Sequence, residues 1–146
     1  MQTLKIAAFI FILFSTLVLG QAGTALAERV EVRVSISRQM MEVYHEGRKI
    51  YEWPVSTAKR PKVTPAGSWT PEFLSRNHKS SRYNNAPMPW AIFYSGNYAI
   101  HGTDAIKRLG QPASHGCVRL HPRNAKILFN MVKAEGMQNT RVTVSY

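Results

Sequence analysis

The sequence predicts a mainly β domain with one main helix, a curved or sandwiched sheet formed by residues 28–146. Three observations carry that expectation. Short segments alternate apolar and polar residues, the period of a half-buried strand. Gly, Asn and Pro punctuate the chain between those segments. Only one stretch, from Pro122 on, repeats apolar residues at helical spacing.

The elements follow in order. Residues 1–27 begin with a single charge, Lys5, continue in an apolar run from Ile6 to Leu19, and end in Ala25-Leu26-Ala27. That pattern is a secretory signal peptide. The apolar run is shorter than the roughly 20 residues a spanning helix needs, so no stable membrane span is expected after cleavage. Val30-Glu31-Val32-Arg33-Val34-Ser35-Ile36 alternates as a strand. Met41–Tyr44 and Ile50–Val55 flank His45-Glu46-Gly47-Arg48, a hairpin. Ser56–Pro65 is basic and carries two prolines, hence a loop. Ser68–Leu74 reads as a strand interrupted by Pro71. Arg76–Pro89 is polar and turn-rich, and is expected to be one long loop; such loops are often lids or binding loops. Its cations Arg76, Lys79 and Arg82 have no acidic neighbour within the segment.

Trp90–Tyr94 and Tyr98–His101 read as strands joined at Ser95-Gly96-Asn97. Asp104–Leu109 is a candidate short helix, with Asp104 as its cap and Gly110 at its end. The main helix has Pro122 at its first position. Ala125, Leu128, Phe129 and Val132 form its apolar face, and Gly136 its C-terminal cap. Thr140–Tyr146 closes the domain as a strand.

Composition narrows the function. There are 19 basic residues against 8 acidic, a formal net charge of +11. An exported, basic domain fits a polyanionic neighbour, although charge alone does not choose between wall polymer, acidic lipid and nucleic acid. Cys117 is the single cysteine, so there is no internal disulfide, no Cys-x-x-Cys redox pair and no lipoprotein cysteine at the leader's end.

The densest polar cluster is Ser114-His115-Gly116-Cys117-Val118-Arg119, with His101-Gly102-Thr103 upstream. A thiol is a weak nucleophile until an imidazole takes its proton or pairs with the thiolate. Two histidines could serve, His101 and His115. If residues 115–117 are extended, His115 and Cys117 share a face. Gly116 leaves room for substrate and frees backbone N–H groups to hold an oxyanion. Arg119 puts a cation beside the reacting centre. His121, just before Pro122, reads as a helix cap.

These residues resemble the L,D-transpeptidase catalytic domain, the YkuD-type fold that acts on bacterial peptidoglycan. The resemblance rests on His101-Gly102-Thr103 and Ser114-His115-Gly116-Cys117-Val118-Arg119-Leu120. Pro54-Val55-Ser56-Thr57, the turn Thr64-Pro65-Ala66-Gly67 and Met88-Pro89-Trp90 add to it. One departure is Ala58, where many relatives place Gly. The resemblance implies a cysteine enzyme without cofactor or metal. Cys117 would attack the bond between diaminopimelate and the terminal D-Ala of a stem tetrapeptide. His101 would be the general base, oriented by a carbonyl near Gly102. His115 would support the oxyanion side, with Gly116 and Cys117 N–H groups as the hole, and Ser114 and Arg119 would frame the site. The acceptor would be an amine of a second stem peptide or of an envelope protein; water would make a carboxypeptidase. The implied place is the periplasm or cell wall, with no nucleic-acid partner.

Competing readings are weaker in the residues themselves. Ser56-Thr57-Ala58-Lys59 and Ser95-Gly96-Asn97 match two penicillin-binding motifs, but no Lys-Ser/Thr-Gly is present. A zinc site from His101, His115 and Cys117 has no accompanying His-Glu-x-x-His or second Cys. A non-catalytic wall-binding module would need only the basic residues.

Overall fold

In the computed structural model, which describes residues 28–146, β1 (Val30–Ser35) lies inside a five-stranded sheet. Residues 1–27, read as a secretory leader, lie outside the described residues. β1 buries Val30, Val32 and Val34 and leaves the intervening residues at the surface. β2 (Met40–His45) and β3 (Arg48–Pro54) form the expected hairpin. Glu46 and Gly47 both have positive φ, at 49° and 78°, the geometry of a tight two-residue hairpin turn. β9 (Thr140–Ser145) runs parallel to β1, and β4 (Gly67–Trp69) closes that sheet against β9. The strand order is β3-β2-β1-β9-β4.

The second sheet has the order β5-β6-β7-β8: β5 (Phe73–Lys79), β6 (Pro87–Ser95), β7 (Tyr98–Gly102) and β8 (Val118–Leu120). β7 and β8 are parallel and the other pairs antiparallel. Helix α1 (Pro122–Glu135) packs on β6 and β7. It buries the four residues of its apolar face, Ala125, Leu128, Phe129 and Val132; each large one contributes about 1.5–3 kcal/mol. Pro122 opens it, His121 Nδ1 accepts from Arg123 N at 3.2 Å, and Gly136 N–H donates to Val132 O. His121 is therefore the cap its position suggests.

One core joins the inner faces of both sheets and α1: Val30, Val32 and Val43 meet Ile92, Ile100, Val118, Leu120 and Leu128. The other face of the second sheet carries a smaller cluster, Met88, Ala91 and Ala99, with Phe93 and Cys117 against it. Met88 and Ala91 share that face because Trp90, between them, has φ +57°. The left-handed residue breaks the strand's alternation and sends its indole to the α1 side. This conformation is rare for a bulky side chain.

Three expectations need correction. Arg76–Pro89 is not one loop. β5 extends to Lys79 and β6 begins at Pro87, paired as His78↔Met88 and Lys79↔Pro87. The true connection is Ser80–Ala86, where Asn84 and Asn85 take positive φ and Ser80 Oγ accepts from the N–H groups of Arg82 and Tyr83. The polar sequence concealed an edge strand, whose outer side and rim face water. Ser68–Leu74 is two strands in different sheets, since Pro71 falls between β4 and β5. Around residues 104–109 there is only one 3-10 turn, Ile106–Arg108, and Asp104 does not cap it; Ala105 holds that position and its N–H donates to Thr103 Oγ1.

Candidate active site

β7 ends on His101 and Gly102, and β8 starts directly after Cys117. Their parallel register places Ile100 beside Val118 and His101 beside Arg119. Alternation then puts Ile100, Val118 and Leu120 in the core, and His101, Cys117 and Arg119 on the opposite face. A cleft of about 450 Å3 opens there, lined by His101, Cys117, Arg119, His115, Tyr83 and Tyr98 among others. The structure thus brings together all four chemically active side chains singled out in the sequence.

His101 is 5% exposed, and its Nδ1 lies 2.7 Å from Gly102 O. A carbonyl only accepts, so Nδ1 carries the proton and the neutral ring leaves Nε2 bare. Burial pushes the His101 pKa down to about 4, with the nearby Arg119 charge adding to the effect. The imidazole is therefore neutral at physiological pH. Burial also raises the Cys117 thiol; a bond from backbone Ala99 and the charge of Arg119 oppose this. At rest the thiol and the imidazole, which line the same cleft, are both neutral. Cys117 Sγ sits 3.8 Å from Asn97 O.

The His101 shift makes stability depend on pH. An unfolded chain protonates its histidine near pH 6.5, whereas the folded ring resists to about 4. The unfolded state thus binds the extra proton between those values, and stability falls as pH drops through that window. The full contribution is about 3 kcal/mol. Urea unfolding at pH 7 and pH 4 should show a stability loss that His101→Gln reduces by that amount. An unchanged pH slope in His101→Gln would contradict the buried neutral ring.

The turn before Cys117 is built by hydrogen bonds. Ser114 Oγ donates to Cys117 O at 2.6 Å and accepts from Gly116 N at 3.0 Å. This corrects the expectation that Gly116 N–H stands open for an oxyanion: Ser114 already occupies it. Residues 115–117 are bends and not strand. Gly116 has φ +144°, and a Cβ there would come 2.7 Å from Tyr98 Cε1. Gly116→Ala should cost about 1–3 kcal/mol through this overlap, read as a lower thermal midpoint. A midpoint equal to that of the native protein would show that the turn has slack.

Outer braces hold the turn. Thr64 Oγ1 donates to Gly116 O at 2.8 Å and accepts from Ala58 N at 2.9 Å. Thr57 O accepts from both Ala113 N and Ser114 N at 2.9 Å. Thr57 is itself held by the buried Gln39, whose Oε1 accepts from Thr57 N and whose Nε2 donates to Thr57 Oγ1. Sequence reasoning missed Gln39, and missed the bracing role of Thr57, because their partners are distant in the chain and no local pattern marks them. It also missed Tyr83, whose ring stacks on His115 at 4.3 Å between centroids and 15° between planes. His115 is exposed at the cleft; partial desolvation, then Lys59, Arg119 and Lys62, lower its pKa. Arg119 Nη1 reaches Ala113 O at 3.4 Å and pairs with no carboxylate among the described residues. No three His, Cys, Asp or Glu side chains among the described residues come together as a metal-binding group.

A sequence profile of the YkuD L,D-transpeptidase catalytic domain matches residues 29–144. A Bacillus licheniformis protein bearing the name L,D-transpeptidase YkuD is 26% identical over 114 residues, covering 78% of this chain and 64% of its own length. An Escherichia coli protein bearing the name L,D-transpeptidase YbiS is 34% identical over 87 residues, 51% of this chain and 27% of the relative. The chain thus spans less than two thirds of these relatives. Among solved structures, an L,D-transpeptidase from Mycobacterium smegmatis superposes with a TM-score of 0.73 at 21% identity, covering 81% of this chain and 59% of that one.

Proposed function

Because this chain belongs to the L,D-transpeptidase catalytic domain family, we propose that it transfers the acyl group of a peptidoglycan stem tetrapeptide through a thioester on Cys117. The observation that carries this reading is a lone thiol in an open cleft on the same sheet face as a neutral histidine with a bare Nε2.

As Sγ attacks the carbonyl between diaminopimelate and D-Ala, its proton passes to His101 Nε2. The S–C bond forms, the C–N bond breaks, and the imidazolium gives the proton to the departing D-Ala amine. An acceptor amine then loses a proton to His101 and displaces the thiol. Gly102 O holds the ring in the required tautomer throughout. With Gly116 N–H engaged by Ser114, the oxyanion falls to Cys117 N–H and the side chains at that end of the cleft. Arg119 supplies a cation for a substrate carboxylate. The acceptor is an amine of a second stem peptide or of an envelope protein, and the leader of residues 1–27 delivers the enzyme across the cytoplasmic membrane to the periplasm or wall.

Product analysis of stem tetrapeptide incubated with the protein tests this. Release of D-Ala with a cross-linked dimer or an exchanged terminal residue is expected. D-Ala release alone makes it a carboxypeptidase; no change, together with retained binding to the wall, makes it a non-catalytic module.

The Ser80–Ala86 turn gives a further prediction. Tyr83, at its tip, covers His115, and a closed tip keeps water from the thioester. Tyr83→Ala should raise the share of hydrolysis over transfer without changing thermal stability. An unaltered product ratio would make the turn a bystander.

A further inference from the structure

The charges of the described residues are segregated. Six of the acidic residues sit in ion pairs on the first sheet and the adjoining end of α1: Arg29 with Glu46 and Glu135, Arg33 with Glu31, Arg38 and Lys49 with Glu42 and Glu52, Arg141 with Glu28. The second sheet and the helix face beside it carry cations with no carboxylate partner among the described residues. Three of these meet at one place. A groove of about 480 Å3 runs between the β5 edge and α1, with Leu74, Trp90 and Phe129 along it and Arg76, Lys126 and Lys133 around it.

Two observations mark the groove as more than solvated surface. The Arg76 guanidinium lies 4.8 Å from the Trp90 ring centroid and Lys126 Nζ lies 5.6 Å from it, so one indole holds two cations in place. The same Trp90 is the residue held at φ +57°, a strained conformation that persists only where its surroundings impose it. Cations ordered before binding lose less freedom when an anion arrives. The groove and the reactive cleft lie on opposite faces of the second sheet: Trp90 and Ile92 point to one, Ala91 and Phe93 to the other. Both can be filled at once.

We propose that this groove is a second substrate site that binds the carboxylates of further stem peptides on the same wall polymer while the cleft holds the reacting one. The proposal rests on the function proposed above. A polymer that repeats its carboxylates can engage both sites, and the second contact raises the effective concentration of peptide at the first.

Co-sedimentation with purified, insoluble peptidoglycan tests it, with turnover of soluble tetrapeptide as the parallel readout. Arg76→Gln/Lys126→Gln/Lys133→Gln should weaken sedimentation about tenfold, the product of three modest ion contacts, and leave soluble turnover unchanged. Lys126→Gln/Lys133→Gln, both exposed on the helix, keeps the test open if Arg76 matters to folding. The matched control Arg48→Gln/Lys107→Gln/Arg108→Gln removes equal charge elsewhere and should sediment like the native protein; an equal loss there overturns the site in favour of diffuse attraction. Peptidoglycan with amidated carboxyls should bind the native protein no better than the triple variant, and undiminished binding overturns the carboxylate assignment. Loss of the sedimentation contrast with turnover intact removes the groove alone. Absent turnover with the contrast intact removes the enzymatic reading alone.

Discussion

Cys117→Ala should abolish acyl transfer, lowering kcat/KM by about 10⁴–10⁶-fold, the range seen when a nucleophile is removed from an otherwise intact site. Nothing else in the chain can replace it, because it is the single cysteine. Two hydroxyls at the turn are spoken for: Ser114 Oγ and Thr64 Oγ1 each make two hydrogen bonds within it. The fold should survive. Cys117 packs against a small cluster of Met88, Ala91 and Ala99, and its thiol makes one long contact with Asn97 O besides the bond from backbone Ala99. Tetrapeptide turnover with the unfolding midpoint as control checks both parts. A variant that folds and still turns over substrate at a native rate would move the chemistry elsewhere.

His101→Ala should slow acylation by about 10²–10⁴-fold, the usual contribution of a general base. The ring is carried by β7 and held by Gly102 O. With its pKa near 4, the base is neutral over most of the pH scale, so kcat/KM of the native enzyme should stay level above about pH 5 and fall as pH drops through about 4. Above neutrality the raised thiol pKa delays any gain from spontaneous thiolate. His115→Ala should do less harm, because His115 is exposed and stacked on Tyr83, away from any tautomer-fixing partner. If His115→Ala is the more damaging change, the two roles are exchanged.

Much of this was legible in the chain. Alternation marked β1, β9 and the hairpin, and Pro122, Ala125, Leu128 and Gly136 bounded α1 because each obeys a local rule. The cluster Ser114 to Arg119 stood out through residue type and spacing, and folding carries it to one cleft with His101. What stayed hidden depended on contacts between distant residues or on local backbone geometry. β5 has polar residues over much of its length because it is an edge strand, so Arg76–Lys79 looked like loop. Trp90 breaks the strand pattern through a backbone angle no sequence rule assigns to a Trp. Gln39 reads as an ordinary polar turn residue until folding carries it to Thr57. The Ser114 bond to Gly116 N–H was equally invisible; it turned an expected oxyanion donor into part of the scaffold.

The most direct test of the central claim is the intact mass of the protein after brief mixing with stem tetrapeptide. A thioester on Cys117 predicts a mass increase equal to the tetrapeptide less its terminal D-Ala, located on the peptide containing Cys117 and absent from Cys117→Ala. An adduct that persists in Cys117→Ala, or product formation with no adduct on Cys117 at any time point, would contradict it.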